Sequence, residues 1–408
     1  MESIDFAPEE IHATGAVRKR PAQRGNLGAR RTINKQKNLG VRRTIIKQKN
    51  CELIPRPLAS ATPLTVGTWC SGLEAIILAC VGLNLPFSHV FAADNDAAAQ
   101  ATIKYNYSPT CLRGDVTKHK PEDWDACSVF HAGFPCQSFS TQGNHQGIRD
   151  RRGKIVHHIL KLIKHHHFRV ILLENVKGLV TLHNKTLQFI TNRLIQMGYR
   201  VFSRVLNARF SGVPQNRERL FIIAVLNDYC AQNEFPWPED LPEVRLKTIL
   251  DAKTLAEKQR DLDFARPPLS QSHARTSVNE CYKQMRANNL DPASTSMVID
   301  VDSSHPTMMF NCSPCLTRSR AGAGGHWVTC RGRRFTISEM QRLMGIGLQA
   351  PDGSRVQIEQ PQEVSDRQWA MLLGNAIPVP ILQRLLARLM TFAKFSTVPV
   401  ADIWEANA

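Results

Sequence analysis

Between residues 62 and 226, short apolar runs alternate with longer stretches of helical periodicity. The runs predict strands at 64–69, 90–93, 128–132, 170–173 and 220–225, and the stretches between them predict helices at 73–81, 97–105, 154–166 and 187–197. Such alternation is typical of a parallel sheet with helices on both faces. We therefore expect a doubly wound α/β fold.

The remaining chain differs from this pattern in two places. Residues 230–330 are rich in Pro, Ser, Asn and charge and show no clear period, and helical patterning resumes at 338–344 and 381–392. We expect a main domain from 61–229 and 331–396, an irregular lobe at 230–330 and a tail at 397–408.

The first 60 residues form a basic arm. They carry 13 Lys and Arg residues against five acidic ones, and the segment 30–38 returns nearly unchanged as 42–50. We expect this arm to lack a fixed fold, and to bind phosphates, to act as a nuclear address or to be a solvated tail.

Charge and cysteine content narrow the class of protein. The net charge of +17 indicates a polyanionic partner, most simply nucleic acid. No apolar run is long enough for a membrane span, so no membrane partner is expected. Eleven scattered cysteines, an odd number, indicate a reducing compartment, which is the nucleus in a eukaryote and the cytoplasm otherwise. We expect a monomer in catalysis.

Glycine and acidic residues follow the first predicted strands, where doubly wound sheets bind ligands. Gly72 opens a turn after the first strand, and Asp94 ends the second strand 22 residues later, a spacing that suits a ribose diol. Asp115, in a Gly-Asp-Val segment, can place a further carboxylate near an adenine. Each feature alone is common, but together they favour an adenosine-containing cofactor.

A cysteine and a glutamate are predicted to meet at the same edge. Cys136 follows Pro135 just beyond the strand at 128–132, and Glu174 ends the strand at 170–173. One βαβ unit separates them, so both are expected to face one crevice. A thiolate there can act as a nucleophile. Glu174 can equally be a helix cap.

Eight short motifs follow one another along the chain: Gly72, Asp94, Gly114-Asp115, Phe134-Pro135-Cys136-Gln137, Glu174-Asn175-Val176, Gln215-Asn216-Arg217-Glu218-Arg219, Ser313-Pro314-Cys315-Leu316-Thr317 and Gly374-Asn375. In the order and spacing of these motifs, the chain resembles the C5-cytosine DNA methyltransferases over residues 64–226 and 313–393. The resemblance implies a Rossmann-like S-adenosylmethionine-dependent methyltransferase domain, double-stranded DNA as partner, and target recognition by the lobe at 230–330.

The resemblance also implies roles for individual residues. Cys136 would attack C6 of a flipped-out cytosine, Glu174 would bind N3 and the exocyclic amine, and Arg219 would contact O2, supported by Arg217. The residues implied for cofactor binding are Cys70, Ser71, Gly72, Leu73, Asp94, Asn95, Asp115, Val116, Phe134, Pro135, Asn375 and Ala376. The segment 143–153 would close over the flipped base.

Three positions depart from the family pattern. Glu74 stands where a second glycine is usual, Asn95 replaces an aromatic residue, and Asp94 replaces a glutamate. If the Glu74 carboxylate faces the carboxylate of the cofactor, binding weakens, and Glu74→Gly would tighten it. A tRNA cytosine-5 methyltransferase and a catalytically silent DNA-binding paralogue are the alternatives.

A zinc site is a further possible use of the cysteines in the 312–330 segment. Cys312 and Cys315, with His326 and Cys330, have a spacing compatible with zinc. Because the resemblance already explains residues 313–317 as a structural segment, no metal is expected.

Overall fold

The computed structural model describes residues 62–134, 155–259, 265–303, 305 and 307–405, and its main element is a seven-stranded sheet. Its strands are β1 (Leu64–Trp69), β2 (Phe87–Ala93), β3 (Cys111–Arg113), β4 (Val129–Gly133), β5 (Val170–Val176), β6 (Tyr199–Asn207) and β7 (Glu218–Leu226). The helices are α1 (Ala75–Gly82), α2 (Ala97–Asn106), α3 (Ile155–His166), α4 (Gly178–Thr181), α5 (Asn184–Gln196), α6 (Leu255–Gln259), α7 (Ser272–Ala287), α8 (Ile337–Leu343), α9 (Asp366–Asn375) and α10 (Val379–Phe392).

The strand order is β3-β2-β1-β4-β5-β7-β6, and β7 runs antiparallel to both of its neighbours. The expected parallel sheet is present from β1 to β5, and the strand predicted at 220–225 departs from it by running antiparallel. Ten residues join β6 to β7, and a parallel crossover needs a dozen or more. The two strands consequently pair as a hairpin. The order reverses between β1 and β4, which creates the crevice in which such sheets bind ligands.

Helices cover both faces of the sheet because the central strands are apolar on both sides. One face packs against α1 and α10, and the other packs against α3 and α5. Alternate residues of β5 divide between them, since Leu172 faces the first cluster and Ile171 the second. Twelve of the 14 residues of α10 are buried, so this helix is part of the central core.

Residues 297–334 form a second, antiparallel sheet against which α7 packs. Its strands are β8 (Met297–Asp300), β9 (Thr307–Phe310), β10 (Trp327–Val328) and β11 (Arg333–Arg334), in the order β11-β10-β8-β9. The expectation that this region is irregular is wrong for α7. Its buried face combines Val278, Cys281 and Met285 with Ser277, so its apolar period is weak although its stripe is continuous.

The described part of the predicted tail is packed. Ile403 and Trp404 are buried, and the indole N–H of Trp404 donates to Gln383 Oε1 of α10 at 2.7 Å. Gly212 leaves room for the indole, because a Cβ there would lie 2.4 Å from it. Within the described residues, no single helix is long and apolar enough to cross a membrane, and α9 with α10 passes that test only as a bent pair.

Candidate active site

The turn after β1 has an alternating left-handed backbone. Cys70, Gly72 and Glu74 have φ values of 52°, 55° and 55°. The Gly72 amide donates to Asp94 Oδ2 at 3.0 Å, which ties the end of β1 to the end of β2. A Cβ on Gly72 would meet nothing within 4 Å, so the space above the turn is open to a ligand.

Asp94 is oriented by backbone amides at the end of β2. Its Oδ1 accepts from the Asp96 amide at 2.9 Å, while its Oδ2 accepts from Gly72. Burial raises the pKa of this carboxyl, although both amides lower it. Each oxygen still has a lone pair, and Asn95 beside it is exposed. This is a suitable acceptor for a pair of hydroxyl groups.

Four further residues of the cofactor prediction lie in the segment after β3 and at the end of α9. Asp115 Oδ1 accepts from the Thr117 amide at 2.9 Å and caps the short helical turn Val116–Lys118, of which Val116 is buried. Asn375 is exposed at the end of α9, followed by the buried Ala376.

Three further residues of that prediction are held by hydrogen bonds of their own. The Leu73 carbonyl accepts from the Tyr107 hydroxyl at 2.9 Å, and Ser71 Oγ donates to Glu74 Oε1 at 2.6 Å. The Phe134 carbonyl accepts from Asn175 Nδ2 at 3.1 Å, which ties the end of β4 to β5.

Glu174 and Arg219 form an ion pair at the edge of the sheet. Glu174 lies in register with Gly133 of β4, and Arg219 lies at the start of β7 opposite the end of β5. The distance from Arg219 Nε to Glu174 Oε1 is 3.1 Å. Burial raises the pKa of the Glu174 carboxyl, although Arg219 and Arg217 lower it. The pair therefore combines a largely buried acid with a cationic neighbour.

Arg217, which is close to Arg219, supports the site through hydrogen bonds to backbone carbonyls. It is buried, and its guanidinium donates to the carbonyls of Leu316, Gly374 (3.2 Å) and Ala376 (2.7 Å). Burial and the nearby Arg219 charge lower the pKa of Arg217. Because it bonds to both the 313–317 segment and the end of α9, Arg217 holds three segments of the site together.

Cys315 is a site residue that the sequence reasoning missed. Its Sγ accepts from Arg217 Nη1 at 3.4 Å and from Arg219 Nη2 at 3.7 Å. Burial by itself raises the pKa of this thiol, but the two guanidinium groups outweigh burial and lower that pKa below its usual value. Its position inside the 313–317 motif was the one sequence signal that it belongs to the site. Its contact with the two arginines was not predictable, because they lie almost 100 residues earlier in the chain.

Two predicted site residues, Pro135 and Cys136, lie outside the described residues, as does the segment 143–153. Strand β4 ends at Gly133, three positions before Cys136, and Gly133 is the register partner of Glu174. In the part of the chain that the structure describes, no group of three or more His, Cys, Asp or Glu side chains could hold a metal ion.

A sheet with this strand order, an acidic residue after β2 and an open amide turn after β1 defines a Rossmann-like, nucleotide-binding type of domain. Comparison with known families gives the more specific assignment. The model of the C-5 cytosine-specific DNA methylases matches residues 65–391, and the chain belongs to that family.

Individual relatives agree with this assignment. The chain is 30% identical over 300 residues to the type II methyltransferase M.HhaI of Haemophilus parahaemolyticus, which covers 72% of this chain and 85% of that protein. It is 28% identical over 301 residues to the type II methyltransferase M.NgoBI of Neisseria gonorrhoeae, covering 72% and 84%.

Solved structures share the fold at lower sequence identity. The Dnmt2 methyltransferase of S. pombe superposes with a TM-score of 0.53 at 20% identity, covering 80% of this chain and 98% of that one. A putative DNA modification methyltransferase encoded within an E. coli prophage superposes with 0.53 at 18%, covering 81% and 99%. The fold class and the family expected from the sequence are confirmed, and the chain is a methyltransferase of the C5-cytosine DNA type.

Proposed function

We propose that this chain methylates C5 of a flipped-out cytosine in double-stranded DNA, with S-adenosylmethionine as the methyl donor and Cys136 as the nucleophile. The supporting observation is the Glu174–Arg219 pair, 3.1 Å apart, in register with the strand end that precedes Cys136. An acid and a cation side by side suit the N3, amine and O2 edge of one pyrimidine.

The residues around the first turn suit the proposed cofactor. Asp94 offers two oriented oxygens to a ribose diol, and the open space over Gly72 leaves room for a ligand backbone or chain. Asp115, Val116 and Asn375 would complete the pocket. S-adenosylmethionine, when bound there, supplies an electrophilic methyl group.

Glu174 would act as a hydrogen-bonding acid. Since burial raises its pKa, the carboxyl can hold a proton and donate it to cytosine N3, while its other oxygen accepts from the exocyclic amine. Arg219 would donate to O2. Both contacts strengthen as negative charge develops on the ring, so they stabilise the attack rather than only the bound base.

Cys136 would carry the covalent step. Its thiolate forms a bond to C6, the C5–C6 double bond opens and C5 becomes nucleophilic. After C5 has gained the methyl group, which leaves S-adenosylhomocysteine as the spent donor, the C5 proton is lost to water, the C6–S bond breaks and the double bond is restored. Cys136 returns as a thiolate, and 5-methylcytosine is released.

The nucleophile is tested with DNA that contains 5-fluorocytosine. Fluorine at C5 cannot leave as a proton, so the adduct to C6 persists. We expect a covalent adduct on denaturing gels with the parent chain and none with Cys136→Ala. Cys230→Ala, which alters a thiol next to the Val225 carbonyl at the far end of β7, is the matched control and keeps the adduct. Equal adduct yield with Cys136→Ala would contradict the assignment.

Bisulfite sequencing of a host that expresses the chain tests the substrate. We expect protected cytosines at one DNA sequence and none in tRNA. Protection in tRNA alone would support the RNA alternative, and no protection in either would support the silent paralogue. Residues 230–330 are proposed to read the DNA site.

A further inference from the structure

Glu74 occupies an unusual backbone position at the start of α1. Its φ and ψ of 55° and 48° are left-handed, a conformation that costs free energy for any residue with a Cβ. The family pattern has glycine here, which pays no such cost. A glutamate retained in this conformation is therefore expected to supply a compensating interaction.

The compensating interaction is a set of internal hydrogen bonds. The Glu74 side chain is fully buried, and its Oε1 accepts from Ser71 Oγ at 2.6 Å and from Thr68 Oγ1 at 2.9 Å. Thr68 belongs to β1, and Ser71 directly precedes Gly72. The carboxyl group thus connects the strand, the turn and the helix, and it is enclosed by the protein. The expectation that it faces the cofactor carboxylate is wrong.

The neighbours of this carboxyl group supply no positive charge at neutral pH. His89 Nε2 of β2 lies 3.7 Å from Oε2, but burial lowers the His89 pKa to about 4. Asp94 is close enough to raise the Glu74 pKa, and Tyr107, after α2, interacts electrostatically with Glu74. Oε2 accepts no hydrogen bond from the described residues. The environment therefore favours a protonated, neutral carboxyl.

We propose that Glu74 is a positioning residue of the cofactor turn, which ties Ser71 to Thr68 and so fixes the Gly72 amide against Asp94. This inference rests on the proposed role of the turn in cofactor binding. Deprotonation would strengthen the two bonds from Ser71 and Thr68, but it would also place a desolvated negative charge near Asp94, and because burial outweighs the two bonds the arrangement as a whole would be destabilised. Cofactor affinity would then fall as pH rises.

The pH range follows from the ionisation of Glu74. Burial, opposed by the bonds from Ser71 and Thr68 and assisted by the Asp94 charge, raises its pKa from about 4.5 to about 7. A folded-state value above the unfolded one means that the contribution of Glu74 to stability is complete below pH 4.5. That contribution is lost as pH rises through about 7. We expect the turn to be held less firmly over the same range.

The test is calorimetric binding of S-adenosylhomocysteine to the full chain from pH 6 to 8.5. For the parent we expect Kd to rise about tenfold over this range, because the turn is held less well once Glu74 carries a buried charge near Asp94. Glu74→Gln keeps an acceptor oxygen without the charge, so its Kd is expected to stay near the parent value at pH 6 and to be independent of pH. Glu74→Gly is expected to bind about tenfold more weakly at pH 6.

His167→Gly is the matched control for backbone relief, because His167 is exposed after α3 with a φ of 49°. Its cofactor affinity is expected to equal that of the parent. Thermal unfolding without ligand gives a second measurement: between pH 6 and 8.5 the parent is expected to lose stability that Glu74→Gln retains.

Two outcomes would overturn the proposal, and they are distinguishable. If the parent binds the cofactor but Glu74→Gln shows the same pH dependence, or Glu74→Gly binds as tightly, Glu74 does not position the turn. If the parent itself does not bind S-adenosylhomocysteine, the proposed function fails first and this inference fails with it.

Discussion

The thiol of Cys315 lies between two guanidinium groups, and this placement makes its proton easier to lose. Arg217 and Arg219 lower its pKa in spite of burial, and the sulfur accepts a hydrogen bond from the arginine that pairs with Glu174. Because the folded-state pKa lies below the unfolded one, the contact stabilises the protein above the unfolded value. It is lost as pH falls through the folded value.

Substitution of Cys315 tests this contact. We expect Cys315→Ala to lower the single-turnover rate of methyl transfer about tenfold, because Arg219 loses a hydrogen-bond acceptor worth about 1–2 kcal/mol. Cys315→Ser keeps a smaller acceptor, and its rate is expected to lie between those of the parent and Cys315→Ala. Rates measured from pH 6 to 9 check this, with Cys230→Ser as a control at the opposite end of β7. Equal rates for all variants would leave Cys315 as a packing residue.

Elements buried on both faces were the ones that the sequence predicted well. Strand β1 has the predicted bounds, since its residues are apolar and nearly all buried. Helix α1 begins at Ala75 rather than at residue 73, because Glu74 is left-handed. Strand β6 was not predicted: it lies at the sheet edge, and exposed residues such as Ser203 and Arg204 interrupt its apolar pattern.

The candidate site likewise contains residues that the sequence predicted and contacts that it did not. The order of the motifs predicted that Glu174 and Arg219 belong to one site. In the structure, Arg219 Nε lies 3.1 Å from Glu174 Oε1. The inward direction of the Glu74 side chain and the arginine partners of Cys315 were not predictable, because both depend on packing between segments far apart in sequence. A pattern in one sequence identifies residue types at a strand end, but not the directions of their side chains.

Close contact between α9 and the 313–317 segment gives a prediction at the scale of the elements. A Cβ on Gly374 would lie 2.4 Å from the backbone carbonyl of Thr317. Gly374→Ala would gain about 1 kcal/mol of helix propensity, but the clash with backbone is expected to cost more, so that the net loss of stability is about 1–3 kcal/mol.

Denaturant unfolding of Gly374→Ala checks the sign of this change. Arg367→Ala, at an exposed position of the same helix, is the matched control and is expected to stay within about 0.5 kcal/mol of the parent. A Gly374→Ala variant more stable than the parent would show that the two segments separate without cost.

At the scale of the whole molecule, positive charge is unevenly distributed along the chain. The first 60 residues carry +8 of the total charge of +17. All 60 lie outside the residues that the structure describes. Contacts between such an arm and phosphates release counterions and carry no sequence information directly. The arm is therefore expected to add affinity for any DNA, whereas site preference belongs to the rest of the chain.

Deletion of residues 1–60 tests this division. We expect the truncated chain to fold, to bind matched and scrambled duplexes more weakly, and to show a shallower slope of log affinity against log salt. The ratio of its affinities for the two duplexes is expected to stay unchanged. Identical salt slopes would assign the arm another role, and a changed ratio would mean that it contacts bases.

The packing of α10 on α1 has a consequence for synthesis of the chain. A Cβ on Gly82 would lie 2.0 Å from Gln383 Nε2, so the two helices are in close contact, yet roughly 300 residues separate them. At about 5–20 residues per second, a ribosome needs roughly 15–60 s to reach α10 after it has made α1. During that interval the apolar residues of α1 lack their partner helix, and the nascent chain is a substrate for chaperones that bind exposed apolar segments.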